Sequence, residues 1–200
     1  LKSARLQKPV LLSLVVLTLT SVAAASAYWA WRLPKRFGEV VPGKLYRSGT
    51  VTPGQLERLR EEYKIGRVLS LLDPSAPESR AEQQACAALG VEYVNVPLRG
   101  NGASTPEDRE RILAILRDPA APPTLIHCAA GTNRTGLATG LYRIHVQGWS
   151  LEQVMGEMKA YDFENGPSHE NLRAALAEAA EKAGAAENAG AEKAGAAKAG

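Results

Sequence analysis

The stretch Thr124–Gly136 (TLIHCAAGTNRTG) constrains this chain more than any other. An apolar run, TLIH, leads through a loop of small residues into a helical pattern that begins near Arg134 and continues to about Gln147. A buried strand that passes straight into a helix is half of a βα unit, and such units stack into α/β sheets. The segments upstream agree with this reading. Leu45-Tyr46 reads as a short strand, and Thr52-Pro53 opens a helix (PGQLERLREEY) with Thr52 as N-cap and Pro53 at the first helical position. Arg67–Leu72 is a buried strand that closes at Asp73-Pro74, about Glu78–Leu89 is a helix stopped by Gly90, and Val91–Val96 is the next strand. Pro97–Ser104 is a loop, and Thr105-Pro106-Glu107-Asp108 is a capping-box start for a helix to Arg117. After the TLIH unit, Ser150 caps a helix to about Lys159 and Ser168 caps a last one.

The two ends are of different composition. Val10–Trp31 holds no charged residue and is long enough to cross a bilayer, with Lys2, Arg5 and Lys8 before it and Arg32, Lys35 and Arg36 after it. Two readings stay open. Ala25-Ser26-Ala27 is a signal-peptide cleavage site, or Tyr28, Trp29 and Trp31 form the interfacial belt of an uncleaved anchor. Both place the protein at or beyond a membrane, in an anchored or exported location. Beyond Leu176 the chain becomes Ala/Gly/Lys/Glu tetrads, expected to be a solvated tail that frays through helical states. The organisation expected is therefore a leader over 1–36, one α/β domain over 37–176 and a low-complexity tail over 177–200. Six of the 24 cations lie in the leader, which leaves 18 against 21 acids, so the basic balance is no argument for a nucleic-acid partner. Two cysteines, Cys86 and Cys128, exclude a disulfide framework or Cys-rich zinc module, and His145 and His169 read as isolated histidines, not metal ligands.

Chemistry concentrates in the loop. Cys128 sits at a helix N-terminus, where unpaired N–H groups and the helix dipole stabilise an anion, either the thiolate or a phosphate bound in front of it. Ala129, Ala130, Gly131, Thr132 and Asn133 supply a nest of backbone donors, and Gly131 permits the close approach or positive φ that a nest demands. Arg134 has the planar fork to grip two phosphoryl oxygens. Thr135 is placed to donate its hydroxyl to the thiolate, and His127 to order the loop by hydrogen bonding to it.

At these residues the chain resembles the cysteine-based protein tyrosine phosphatases, whose signature H-C-x5-R-[ST] stands here as His127-Cys128-AAGTN-Arg134-Thr135. The resemblance extends over Glu39–Phe163 and is similar to the compact atypical dual-specificity branch. It implies a central, mostly parallel sheet flanked by helices, a cofactor- and metal-free ping-pong mechanism through a Cys128 phosphoenzyme, and a phosphorylated protein or small phosphorylated substrate. Its expected catalytic set is Cys128, Arg134, Thr135 and a general acid.

The acid is where the chain departs from the pattern. Such phosphatases usually carry an aspartate some thirty residues before the cysteine, and Pro97–Gly102 here has no carboxylate. Asp108 is the first candidate, although it also fits the N3 position of the Thr105 capping box; Glu107 meets the same objection, and Asp73 at a strand end is the alternative. An enzyme without an acid would act as a weak phosphate-binding module or would favour phosphoanhydrides and other substrates whose leaving group departs unprotonated. The loop lacks extra cations, so densely phosphorylated inositols are less well suited. Arg99 is a possible peripheral cation, Arg47 reads as structural, and Cys86 as a core residue, with a disulfide to Cys128 the lesser alternative.

Overall fold

Strands β3 (Arg67–Ser70) and β5 (Thr124–His127) form the middle of a five-stranded sheet in the computed structural model, which describes residues 8–198. The order is β1-β2-β5-β3-β4, with β1 at Gly38–Val41, β2 at Leu45–Ser48 and β4 at Glu92–Asn95. β2, β5, β3 and β4 run parallel, and β1 pairs antiparallel with β2 at the edge. The sheet is mostly parallel, as the resemblance implied. Parallel strands need cover on both faces, and the alternation of side chains along each strand provides it. Leu125 and Val68 pack into one core with Leu56 and Leu59 of α2 (Pro53–Tyr63) and Cys86 of α3 (Pro77–Leu89). Ile126 and Leu69 pack into the other, with Ile112 of α4 (Pro106–Arg117), Leu137 and Leu141 of α5 (Asn133–Gln147), Val154 of α6 (Leu151–Ala160) and Leu176 of α7 (Glu170–Lys198).

Three helix starts follow from sequence chemistry. Thr52, Thr105 and Ser150 each accept from the N3 backbone N–H while the N3 side chain returns a bond, so all three form closed capping boxes. Other boundaries move. β1 is an additional short edge strand, β3 ends at Ser70, and a short 3-10 turn over Pro167–His169 precedes α7, which begins at Glu170. α7 also corrects the expected boundary at 176. Ala179 is buried, Ala180 and Ala183 pack on the same core, and Arg109 of α4 pairs with Glu178 at 2.8 Å, so the domain's packing continues well into the tetrad region. Alanine achieves this because α7 lies close against α5, where a Cβ on Gly140 would fall 2.9 Å from Leu176. The side chains of 186–200 lie outside the described residues.

The chain divides between Leu33 and Pro34 into two compact units. The first contains α1 (Lys8–Trp31). Among the described residues no helix is long and apolar enough to cross a membrane. The described side chains of α1 run without a charge from Val10 to Ala24, roughly 22 Å at ~1.5 Å per residue against a hydrocarbon core of ~30 Å. Lys2, Arg5, the Ala25-Ser26-Ala27 side chains and those of Trp29 and Trp31, on which the signal and anchor readings drew, lie outside the described residues.

Candidate active site

The loop between β5 and α5 is held from outside by its carbonyls. Thr50 N and Oγ1 donate to Ala129 O at 3.1 and 3.3 Å, Arg36 Nη1 donates to Ala130 O at 2.8 Å, and Arg47 Nη2 donates to Gly131 O at 2.9 Å. With the carbonyls turned outward, the amide N–H groups are left for the concave side, where Gly131 N donates to Cys128 Sγ at 3.3 Å. Gly131 has φ +76°, and a Cβ there would fall 2.7 Å from Gly49 N and Ser48 C. Gly49 is the reciprocal case, since its Cβ would approach Ala129 O at 3.0 Å. The Tyr46–Gly49 segment is thus the backbone wall against which the loop is pressed.

Cys128 is 2 % exposed. Burial works against a thiolate, but the Thr135 hydroxyl and N–H, the Arg134 charge and the Gly131 N–H together outweigh it and hold the thiol below its ordinary range. Thr135 Oγ1 also lies 3.4 Å from Ser48 O. Arg134, in the first turn of α5, is anchored through Nη1 to Leu71 O at 3.2 Å and Leu98 O at 3.4 Å, and it lines a cleft of about 480 Å³ together with Asp73, Leu98, Arg99 and Gly100. These carbonyls lie just past the carboxyl ends of β3 and β4, where open parallel sheets place their ligands.

His127 departs from the expected arrangement. It is fully buried on the α3 face, and its Nε2 lies 2.8 Å from Glu82 Oε1 in an ion-pair contact without an aligned hydrogen bond. The expected hydrogen bond from its ring to the loop is not formed. The ring points the same way as Leu125, two residues earlier on β5, whereas Cys128 belongs to the opposite core. Glu82 itself was hidden inside a helical stretch that reads as ordinary amphipathic sequence.

The carboxylates are disposed as follows. Asp108 accepts from Thr105 N at 2.9 Å, and its own N–H donates to Thr105 Oγ1 at 3.1 Å; it is engaged in the helix cap and does not line the cleft beside Arg134. Asp73 does line that cleft, but the Ser75 hydroxyl and N–H hold its carboxyl below the usual range, which favours the ionised form over a proton donor. Arg99 lies on the cleft wall. Arg36, read as a leader cation, instead bonds the loop and pairs with Asp162 at 2.9 Å. His169, read as isolated, contacts Asn133 through Nε2 at 2.8 Å, and Asn133 Nδ2 also lies 3.5 Å from Gly100 O. His145 lies away from this group, its pKa lowered by burial and then by Arg117 and Lys182. Cys86 and Cys128 are both free, and burial with the Glu82 charge pushes the Cys86 thiol up to about 12. No signal in the sequence would have joined Arg36, Asp162 and His169 to the loop, because each is brought there by tertiary packing alone.

A family model described as "Tyrosine phosphatase family" matches residues 33–181, which include the whole sheet and the loop. The chain belongs to this family. Among its relatives, the inositol diphosphatase SIW14 of Saccharomyces cerevisiae is 30% identical over 134 residues, covering 65% of this chain and 46% of the yeast protein. The dual specificity protein phosphatase TpbA of Pseudomonas aeruginosa is 40% identical over 81 residues, 38% of this chain and 37% of that protein. The chain therefore spans less than half the length of either. The core catalytic domain of yeast SIW14, solved in complex with citrate, superposes with a TM-score of 0.63 at 26% identity, covering 72% of this chain and 85% of that one.

Proposed function

We propose that the protein hydrolyses phosphate monoesters and phosphoanhydrides through a phosphocysteine, in the manner of dual-specificity phosphatases. The observation that carries this reading is a buried cysteine, held below its ordinary pKa, at the base of a loop whose Ala129, Ala130 and Gly131 carbonyls are turned outward. In the first step Cys128 Sγ attacks phosphorus, the S–P bond forms and the bond to the leaving oxygen breaks. Loop N–H groups and the Arg134 fork hold the equatorial oxygens, where the transition-state charge spreads. In the second step water attacks phosphorus, the S–P bond breaks, and Cys128 departs as a thiolate that Thr135 and Gly131 stabilise, releasing orthophosphate.

One observation favours a narrower reading within this class. The cleft has Asp73 at its wall, held ionised by Ser75, and Asp108 is committed to its cap, so neither is arranged as a proton donor. General acid catalysis is typically worth ~10²–10⁴-fold, and a site that lacks it does best on leaving groups that depart without a proton. A phosphoanhydride, whose leaving group is itself a phosphate, meets that condition, and the similarity to an inositol diphosphatase supports it.

The test is a phosphate-release panel of an activated aryl phosphate, an alkyl phosphate, a phosphopeptide and a pyrophosphate-bearing inositol, run on wild type and Cys128→Ser. Turnover of the aryl phosphate and the anhydride, vanadate inhibition and loss of turnover in Cys128→Ser are expected. Equal activity of the two proteins overturns the assignment, and tight phosphate binding with no turnover makes the domain a phosphate-reading module.

We further propose that the leader anchors or exports the domain. Its uncharged run supports this, as do the hydroxyls of Thr18, Thr20 and Ser21, which bond back to carbonyls of their own helix and so carry little polarity outward. Recovery of the full chain in the soluble fraction, with its leader intact, would argue against it.

A further inference from the structure

Arg47 is a fully buried arginine that the chemistry above does not use. It stands on β2 beneath the loop, its side chain 0 % exposed. Nη2 donates to Gly131 O at 2.9 Å, Nη1 lies 3.5 Å from Thr139 Oγ1, Nε has no partner, and the guanidinium sits 3.7 Å from the centre of the Tyr161 ring. Among the described residues no carboxylate forms an ion pair with it. The acid that acts on it most, Glu157 of α6, is taken by Arg143 of α5, whose Nε lies 3.2 Å from Oε1 and whose Nη2 approaches still closer. A buried guanidinium cannot shed its proton, and an uncompensated buried charge is strongly destabilising.

Two buried arginines, Arg47 and Arg143, therefore lie beside one carboxylate, and Arg143 holds it. On the other face of the sheet, Glu82 is turned to His127, with Nε2 2.8 Å from Oε1. Cys128 is one of the groups whose negative charge acts on Arg47, and it is linked to Arg47 through a single residue, since Gly131 accepts from Arg47 with its carbonyl and donates to Sγ with its N–H. We propose that Arg47 is a positioning residue whose counter-ion is the Cys128 thiolate: it pins Gly131 so that its N–H faces the sulfur, and its buried charge keeps the sulfur ionised. Burial pulls the Arg47 pKa down, and the charges of Glu157, Tyr161 and Cys128 oppose that pull. Arg134 acts on the same sulfur from the cleft side, with Thr135 beside it. Arg134 faces the cleft where substrate enters; Arg47, sealed behind the loop, is reserved for the nucleophile.

The proposal rests on Cys128 being the nucleophile, yet its test reads the thiol and not turnover. The rate of Cys128 alkylation by iodoacetamide is followed against pH in the full chain for wild type, Arg47→Lys and Arg47→Gln, with folding checked by circular dichroism. Removing a unit charge from a buried site should lower the alkylation rate of Arg47→Gln near neutral pH by on the order of tenfold or more, with the profile displaced upward, while Arg47→Lys stays close to wild type. A folded Arg47→Gln with the wild-type profile overturns the proposal. Should Arg47→Gln fail to fold, Cys128→Ala decides, because it removes the counter-ion and leaves Arg47 in place. It is expected to melt below wild type at neutral pH and to recover with added orthophosphate, and a Cys128→Ala protein as stable as wild type overturns the proposal. A shifted thiol in a protein without phosphatase activity would sink the functional reading and leave this one standing.

Discussion

Replacing Gly131 by alanine perturbs the loop at the point where backbone conformation and thiol chemistry meet. At φ +76° an L side chain incurs about 1–2 kcal/mol of left-handed strain. The added Cβ would also sit 2.7 Å from Gly49 N and Ser48 C, backbone atoms at the end of β2 that cannot rotate away. Relief requires moving the loop or the strand end, an overpacking cost of about 1–3 kcal/mol. Together these give roughly 2–5 kcal/mol and a fall in Tm on the order of 10 °C for a domain of this size. If the loop is what yields, Gly131 N–H leaves Cys128 Sγ, and the thiol pKa should rise along with the loss of stability. Gly156 is the matched control: it lies in α6, is exposed, and a Cβ there meets nothing within 4 Å. Gly156→Ala should gain about 0.5–1 kcal/mol, as glycine to alanine does in an open helix. Thermal melts of the two variants, with iodoacetamide titration of Cys128, check the argument. A Gly131→Ala protein with wild-type Tm and thiol titration would refute the account of the loop.

Three further outcomes are expected. Asp108→Asn and Thr105→Ala should each lower stability by about 0.5–2 kcal/mol in denaturant melts and leave kcat/KM on alkyl phosphates near wild type; a large loss confined to poor leaving groups would restore Asp108 as the acid. Glu82→Ala strips His127 of its buried partner and should cost about 3–5 kcal/mol, so wild-type stability would show that the pair carries no charge interaction. Iodoacetamide at neutral pH should label Cys128 alone, because the Cys86 thiol is pushed up to about 12 and is fully buried, and peptide mass spectrometry would expose any contrary labelling. With its folded pKa above the unfolded one, Cys86 contributes stability that is complete below the ordinary thiol range and fades as pH climbs toward that value.

The parts of the fold that could be read from sequence were those with a local physical signature. TLIH holds Leu125 and Ile126 side by side because β5 is the central strand covered on both faces, and the three capping boxes announce themselves by a hydroxyl and an acid or amide three residues on. The spacing from Cys128 to Arg134 is legible for the same reason, since one loop carries both. β1 escaped notice because GEVV is a short edge strand with a bulge and little alternation. The packing of α7 beyond Leu176 is not legible because alanine carries no hydrophobic pattern, although at a close helix crossing it is the residue that fits. The supports of the loop were the least legible. Arg36, Arg47 and Glu82 are separated from Cys128 by more than forty residues of chain, and nothing local to them distinguishes a brace from a surface charge.

The central claim is that phosphate passes through Cys128, and the most direct measurement is to trap it there. The full chain is mixed with an activated aryl phosphate, quenched with acid within the first turnover, digested and analysed by mass spectrometry. The account predicts one phosphoryl group on the peptide containing Cys128 and none in the Cys128→Ser protein. Steady turnover with no phosphorylated peptide, or with the label on another residue, would contradict it.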